Sequence, residues 1–318
     1  MSVELEKLFP ADIMPLFRNA LENMENLEEI RIRLGKPVMV SGEGREFFLK
    51  ENGKLTKNPA EGYEIRKGDL QRLMDHFTRY SPYAFESELS QGFLSLPGGH
   101  RIGVTGEVVT GENGSVKTLK NISGINIRIA RYVQGVSEGL LPFAYEGGHP
   151  QSLLIVSPPG CGKTTMLRDF IRCYSEGNPW GAGVNVGVAD ERMEIAGSYM
   201  GQVQMPLGDR TDVLSGCRKA DGVLMLIRSM NPSVIAVDEI GKEEEIMALR
   251  YAATCGITLL NTMHGMDMQD LQCKERLLGE KWLDMYGRII FLKKEEGSFG
   301  VKSLWKKDDE GEWMCVRY

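Results

Sequence analysis

The chain has 318 residues, of which 42% are hydrophobic and 26% are charged, and its formal net charge is −6. This length suggests two domains, and the composition is that of a globular protein rather than a disordered one. The acidic balance argues against a protein whose main task is to bind nucleic acid, because phosphate contacts need clustered Lys and Arg. No apolar run reaches the roughly 18 residues of a membrane span, and the acidic N-terminus does not predict a signal peptide.

The cysteines exclude two further classes of protein. The chain has six cysteines and four histidines, and no two cysteines form a CxxC pair. We therefore expect neither a zinc site or other metal cluster nor a disulfide framework. Reduced thiols in a cytoplasmic protein are the prediction.

Residues 1–140 predict an N-terminal α+β domain. Apolar residues at helical spacing predict a helix within 11–24 that begins near Pro15, because proline is tolerated in a first turn. Alternating apolar residues and turn signals predict a second helix and five strands. The predicted helix is 69–80, and the predicted strands are 30–34, 38–40, 47–49, 100–109 and 125–133.

Residues 141–150 predict a linker, because they contain two prolines and two glycines. After them, apolar strands alternate with helices, which is the pattern of a parallel sheet. The sequence thus predicts an α/β domain over 151–318. The segment from residue 289 onward predicts a C-terminal β-hairpin tail. The predicted strands are 153–156, 184–188, 234–237 and 257–261, and the predicted helix is 165–174.

The segment SPPGCGKTT follows an apolar strand and opens a helix, which is the context that a P-loop requires. Backbone N–H groups of such a loop surround phosphates, Lys163 would reach the β- and γ-phosphates, and Thr164 would offer its hydroxyl to Mg²⁺. The pattern has Gly where this chain has Ser157, but a small residue is enough there, so we expect ATP binding to persist. The predicted ATP-binding residues are Ser157, Pro158, Pro159, Gly160, Cys161, Gly162, Lys163, Thr164 and Thr165.

Two other apolar strands end in acidic residues. Strand 234–237 leads to Asp238 and Glu239. Asp238 suits a ligand of Mg²⁺ or of its bound water, and Glu239 suits the residue that polarises the attacking water. Strand 184–188 leads to Asp190, a second candidate for the metal, and Glu191, a rival of Glu239 as general base. An ordinary acidic strand end is the alternative for each.

Positive charge and hydrogen-bond donors complete the predicted site. The strand 257–261 leads to His264, which could sense the γ-phosphate, with a purely structural histidine as the alternative. Hydrolysis needs cations on the γ-phosphate beyond Mg²⁺ and Lys163. The candidate arginines are Arg101, Arg128, Arg131, Arg210, Arg218 and Arg228.

Several segments resemble the stage III sporulation protein AA family over most of the chain: GGHRIGVTGEVV, NISGINIRIAR, SPPGCGKTT, VADERMEIAG, TDVLSGCRKADGVLMLIRSMNPSVIAVDEIG and TMHG. That family is similar to the ring-forming ATPases of type II and type IV secretion and of pilus retraction. The resemblance implies a RecA-like P-loop ATPase domain after the α+β domain. It also implies a cytoplasmic, hexameric ATPase of the mother cell that docks on a membrane complex linking mother cell and forespore.

The resemblance also implies roles for site residues. The secretion ATPases surround their nucleotide with an Asp box, a His box and arginines of the N-terminal domain. The matching residues here are Asp190 with Glu191, His264, and Arg101 with Arg128 or Arg131.

The run IRSMNPSVIAVDEIG is similar to an arginine-proline-strand-glutamate run of the same relatives, which places Arg228 and Glu239 in correspondence. Those relatives commonly have Gly where this chain has Asp238. Whether Asp238 or an Asp-box carboxylate dominates the second shell of the metal therefore stays open, and Glu239 is the preferred base.

The sequence thus predicts ATP hydrolysis that energises or assembles a channel between mother cell and forespore. The cofactors would be ATP and Mg²⁺, and the partners copies of the chain and membrane-embedded channel proteins. One alternative is an ATP-binding assembly scaffold with little turnover. Another is a RecA-like ATPase stimulated by nucleic acid, which the acidic charge disfavours.

Overall fold

The computed structural model describes residues 8–316 apart from 25–26, 43, 112–113, 280, 296–297 and 309. The chain divides into two compact units, Met1–Arg131 and Tyr132–Tyr318. In the described part of the chain, every helix is too short or too polar to cross a bilayer.

The first unit is built on a seven-stranded antiparallel sheet with the order β4-β3-β2-β1-β7-β6-β5. Its strands are β1 (Leu27–Arg33), β2 (Met39–Gly42), β3 (Arg45–Leu49), β4 (Leu55–Thr56), β5 (Phe93–Ser95), β6 (Arg101–Thr110) and β7 (Val116–Arg128). Its helices are α1 (Met14–Asn23), α2 (Lys67–Phe77) and α3 (Glu86–Ser90).

The helices and strands predicted for this unit are present. Pro15 lies in the first turn of α1, as expected. Helix α2 ends at Phe77, three residues before the predicted end, because Arg79 and Tyr80 adopt left-handed backbone angles with φ of 48° and 59°. Ile30 and Ile32 of β1 are completely buried. Alternate residues of a strand face the same side, so this burial explains why apolar residues at every second position predicted the strand.

The second unit contains an eight-stranded sheet with the order β12-β11-β13-β14-β10-β15-β16-β17. The pairs from β12 to β15 are parallel, and the last two pairs are antiparallel. Its strands are β10 (Leu153–Ser157), β11 (Val186–Asp190), β12 (Thr211–Ser215), β13 (Val234–Val237), β14 (Thr258–His264), β15 (Arg288–Glu295), β16 (Ser298–Lys307) and β17 (Trp313–Val316). A small hairpin, β8 (Tyr145–Glu146) and β9 (His149–Pro150), precedes it.

Among the described residues of the second unit, five α-helices accompany the sheet. They are α4 (Leu141–Ala144), α5 (Lys163–Glu176), α6 (Lys219–Ser229), α7 (Glu243–Thr254) and α8 (Met268–Leu278). Strands β10 and β13 are buried along their whole length, which is why they read as unbroken apolar runs.

The C-terminal hairpin of β15 and β16 belongs to the eight-stranded sheet. Strand β15 pairs in parallel with β10, from Leu153 opposite Arg288 to Val156 opposite Phe291, and then pairs antiparallel with β16. The hairpin predicted for the tail is therefore a continuation of the central sheet. The sequence also predicts a turn at 296–298, of which residues 296 and 297 lie outside the described residues.

The segment predicted as a linker is folded onto the second unit. Residues 141–150 form α4 and the hairpin of β8 and β9. The ring of Tyr145 packs edge-on against Tyr174 at 5.3 Å, and its hydroxyl accepts a hydrogen bond from Asn178 at 2.9 Å. The division between the units falls at 131 and 132 instead.

The start of the second unit is fastened to α5 by a buried carboxylate. Asp169 is fully buried and accepts hydrogen bonds from the N–H and hydroxyl of Ser137, at 2.8 and 2.7 Å, and from the N–H of Gly135 at 3.1 Å. Arg172 forms an ion pair with it at 2.8 Å. Burial alone would raise the pKa of Asp169, but the hydrogen bonds outweigh burial and lower that pKa.

We expect Asp169→Asn to lower the free energy of unfolding by about 3 kcal/mol, because it removes the charged partner of a buried arginine. The folded-state pKa of Asp169 lies below its unfolded value of about 3.9. The carboxylate therefore stabilises the fold above that value, and this contribution is lost as the pH falls through the folded-state pKa.

Urea unfolding of wild type and variant should thus show a constant difference at neutral pH that shrinks below about pH 4. Asp284→Asn is the control, because the exposed pair of Asp284 with Lys307 should contribute at most about 1 kcal/mol. A difference for Asp169→Asn that persisted undiminished into acid would contradict the assignment.

Candidate nucleotide-binding site

The P-loop lies between the carboxyl end of β10 and the first turn of α5. Gly160 and Gly162 adopt φ of +72° and +77°, a region that other residues rarely adopt. Because the first N–H groups of a helix have no partner within it, this turn presents donors to the space in front of α5. The loop therefore has the backbone form of a phosphate cradle.

The other residues of the predicted loop have ordinary surroundings. Ser157 is buried and its hydroxyl donates to the carbonyl of Pro158 at 2.8 Å. Ser157 is not among the residues with positive φ, so the backbone there does not require the glycine of the usual pattern. Cys161 is buried, and Thr165 is half-buried on α5.

The side chain of Lys163 is buried inside the loop. Its Nζ donates to the carbonyl oxygens of Ser157 and Pro158, both at 3.2 Å, and lies 3.0 Å from Nδ1 of His264. Burial lowers the pKa of Lys163, and nearby carboxylates, led by that of Glu239, counteract the effect. An ammonium with neutral partners can exchange them for phosphate oxygens, with which hydrogen bonds are stronger.

Asp238 connects the P-loop helix to the strands beside it. The hydroxyl of Thr164 donates to Asp238 Oδ2 at 2.6 Å, and the hydroxyl of Thr262 donates to Oδ1. Hydroxyl and carboxylate oxygens are ligands that Mg²⁺ accepts, and it binds proteins through one or two carboxylates plus substrate phosphates. The adjacent oxygens of Thr164 and Asp238 fit an ion delivered with a nucleotide.

Glu239 is held on both sides of its backbone. It adopts φ of 52°, which is uncommon for a residue with a side chain. Its N–H donates to the hydroxyl of Thr262 at 2.7 Å, and its carbonyl accepts from Nζ of Lys219 at 2.7 Å. These two contacts hold a backbone angle that aims the carboxylate toward the P-loop side, where Oε1 lies 3.0 Å from Nε2 of His264.

His264 bridges the P-loop lysine and Glu239. An ammonium can only donate, so Nδ1 of His264 accepts from Lys163. In the neutral ring the proton then sits on Nε2, which donates to Glu239. The three side chains form a continuous chain of contacts of about 3 Å across the carboxyl ends of the sheet.

The two acidic residues after β11 have different surroundings. Asp190 is buried, and its carboxylate accepts backbone N–H groups at 2.8 to 3.1 Å from three residues, Glu194, Ile195 and Ala196. Burial raises its pKa against these hydrogen bonds, and the charge of Asp238 adds to the rise. Asp190 thus shapes the following loop. Glu191 is half-buried and accepts the N–H of Lys219 at 3.3 Å.

The acidic residues that follow β11 and β13 line one polar cleft. It is bordered by the carboxylates of the β11 and β13 strand ends and by two cations, Arg192 and Lys219. Arg192 lies 3.9 Å from Oε2 of Glu239, at the open side of the cleft. The structure therefore brings the predicted Asp190, Glu191, Asp238 and Glu239 together, as expected for strand ends of a parallel sheet.

Two of the three arginines predicted for the first unit, Arg101 and Arg128, lie on its sheet. Arg101 begins β6 and pairs in register with Arg128 at the end of β7. The guanidinium of Arg101 stacks 3.7 Å from the ring centre of Phe93, and Arg128 lies 3.5 Å from the carboxylate of Glu29. Arg131 is the last residue of this unit. Their predicted action on a nucleotide stays a prediction.

The arginines that the sequence predicted for the second unit, Arg210, Arg218 and Arg228, do not gather at the cleft. Arg228 is exposed near the end of α6, about 13 Å along the helix axis from Lys219. Arg210 donates to the carbonyl of Ser175 at 3.0 Å, and Arg218 forms an exposed pair with Glu244 at 2.7 Å. Within one chain, the structure does not bring Arg228 to the P-loop.

Besides Arg192, two cations near the cleft were missed by sequence reasoning. Lys219 follows Arg218 and begins α6. The only sequence signal for its role was its position after a strand, and this signal was weak because β12 is short and half-buried. Arg168 lies on α5 one turn beyond Thr164, which was a readable signal because such residues share a helix face. Burial lowers the pKa of Arg168, while the charges of Asp238 and Asp190 oppose that effect.

Comparisons with known proteins give the family. The model of the family described as sporulation stage III, protein AA matches residues 2–312. The Stage III sporulation protein AA of Bacillus subtilis (strain 168) is 38% identical over 307 residues, which are 94% of either chain. The chain belongs to the stage III sporulation protein AA family.

Solved structures confirm the fold predicted for this family member. The ATPase DotB of Yersinia pseudotuberculosis superposes with a TM-score of 0.58 at 12% identity, over 97% of this chain and 79% of that one. The pilus retraction motor PilT with bound ADP gives 0.57 at 15% identity, over 93% and 82%. The chain thus has the fold that the sequence predicted, a RecA-like α/β domain with a P-loop, preceded by an α+β domain.

Proposed function

We propose that this protein is a magnesium-dependent ATPase that forms a ring and energises or assembles a channel between mother cell and forespore. The chain of contacts from Lys163 through His264 to Glu239 carries the proposal, because it joins a phosphate-binding group to a candidate base. Family membership supports the role in sporulation and a place in the mother-cell cytoplasm. The resemblance to ring-forming secretion ATPases supports the ring, proposed as a hexamer, and its docking on membrane-embedded channel proteins.

Binding of the triphosphate requires an exchange of partners at Lys163. The ammonium leaves the loop carbonyls and His264 for the β- and γ-phosphate oxygens, while backbone N–H groups of the loop take up the remaining oxygens. Thr164 and Asp238 would hold Mg²⁺. When bound, this ion neutralises charge that develops on the phosphate oxygens.

Glu239 then positions the attacking water. His264 occupies Oε1 of its carboxylate, so Oε2 accepts a proton of a water aligned with the γ-phosphate. The water oxygen forms the new bond to phosphorus as the bond to the leaving ADP oxygen breaks, and the water proton goes to Glu239. Arginines of the N-terminal domain, Arg101 with Arg128 or Arg131, would supply further positive charge.

A neighbouring copy is the proposed source of some of this charge. Arg228 lies at the far end of α6 from its own cleft, so a contact with phosphate would have to be made in another subunit. Turnover would then depend on assembly.

Glu239→Gln tests the base. We expect turnover to fall about 100-fold or more with ATP affinity retained, because the amide cannot accept the proton. Glu191→Gln is the matched control at the neighbouring strand end, with turnover expected to stay within about 3-fold. If Glu191→Gln lowered turnover more than Glu239→Gln did, the base would be Glu191.

The same assay separates the alternative functions. Wild-type protein that binds Mg-ATP but does not turn it over at any concentration would indicate an assembly scaffold. Salt-dependent stimulation by single-stranded DNA or RNA would indicate a nucleic-acid-dependent ATPase.

Lys219→Met tests whether the contact with the Glu239 carbonyl positions this residue. We expect kcat to fall about 10- to 100-fold, because Glu239 loses one of the two contacts that hold its left-handed backbone, and small misplacements of reacting groups are costly. ATP affinity should change little. The melting temperature should fall, because Lys219 also pairs with the buried carboxylate of Glu245 at 3.5 Å, and Lys219→Arg should recover part of both the rate and the stability.

The control is Lys242→Met, since Lys242 is an exposed lysine on the segment after Glu239. A fall in ATP affinity equal to the fall in kcat would instead assign Lys219 to substrate binding.

A further inference from the structure

The C-terminal hairpin places an aromatic ring on the P-loop. Phe299 is the second residue of β16 and pairs with Lys294 of β15. A Cβ atom added at Gly162 would overlap three consecutive ring carbons of Phe299, Cγ, Cδ1 and Cε1. The loop glycine thus lies against the ring, and only glycine leaves room for it. Phe299 as a whole residue is half-buried.

The order of strands puts this ring on one particular side of the P-loop. Strand β10, which leads into the loop, has β14 on one side and β15 on the other. The groups proposed to act on the γ-phosphate, Glu239 and His264, belong to the β13 and β14 side. Phe299 belongs to the opposite side.

The hairpin also reaches beyond the end of β10. Their parallel register ends at Val156 opposite Phe291, whereas β15 continues to Glu295. Four more residues in extended form add about 13 Å. The described end of β15 therefore extends past the end of β10, on the side of the P-loop.

A nucleotide in this loop has a fixed direction. If its γ-phosphate faces Glu239, the triphosphate follows the loop away from β13 and β14, and the nucleoside emerges toward β15. Phe299 is an aromatic ring on that side of the loop, in contact with Gly162. Aromatic side chains bind bases by stacking, because every base has a π-face.

We propose that Phe299 is the platform on which the nucleotide base stacks, which gives the P-loop a subsite for the base in addition to its phosphate cradle. This inference rests on the proposed function, since it assumes a nucleoside triphosphate in the loop. It assigns the hairpin of β15 and β16 a part in substrate binding that the phosphate-binding motifs do not provide.

The test compares ligands with and without a base. Dissociation constants are measured by calorimetry for Mg-ADP, Mg-ATP and inorganic tripolyphosphate, with wild type and with Phe299→Ala, Phe299→Leu and Phe299→Trp. We expect Phe299→Ala and Phe299→Leu to weaken both nucleotides about 10-fold, with tripolyphosphate unchanged. Phe299→Trp should bind nucleotides at least as tightly as wild type.

Trp313→Ala is the control, because Trp313 pairs with Lys307 at the other end of the same hairpin. It should leave all three constants unchanged, and thermal melting checks that each variant is folded. Equal weakening of nucleotides and tripolyphosphate by Phe299→Ala would overturn the inference, as would tighter binding of all three. Wild-type protein that binds no nucleotide at all would instead overturn the proposed function.

Discussion

The carboxylate of Asp238 accepts hydrogen bonds from two threonine hydroxyls, that of Thr164 at the start of α5 and that of Thr262 on β14. These contacts tie three elements together where β13 ends, and the geometry of the cleft depends on them. Thr262 also accepts the N–H of Glu239, so the backbone of the proposed base is fixed by the same group. A substitution at Asp238 would therefore disturb the metal position and the base together.

The cleft is lined by both acidic and basic side chains. Carboxylates from the ends of β11 and β13 line it together with Lys219 and Arg192, and the ammonium of Lys163 lies near the carboxylates of Glu239 and Asp238. The raised pKa of Asp190 and the lowered pKa of Lys163 both show that burial opposes these charges. Such shifts cluster at functional sites. A bound magnesium nucleotide would supply a cation that neutralises the carboxylates and phosphate anions that neutralise the cationic side chains.

The sequence predicted the parallel sheet and the P-loop, because buried parallel strands read as unbroken apolar runs and the loop has a strict pattern. It also predicted that Asp190, Glu191, Asp238 and Glu239 would meet, since they follow strands of one sheet. It did not predict that β15 joins this sheet beside β10, because a hairpin signal is local and says nothing about the outer partner of its first strand. Lys219 was missed for a similar reason, since its contact to the Glu239 carbonyl joins residues that the sequence does not connect.

Turnover of Mg-ATP by the purified protein over a range of protein concentrations tests the account most directly, with Lys163→Ala measured alongside. The account predicts a rate per subunit that rises steeply with concentration, because a neighbouring copy supplies arginines, and that vanishes in the variant. Tight binding of Mg-ATP without turnover at any concentration would contradict it.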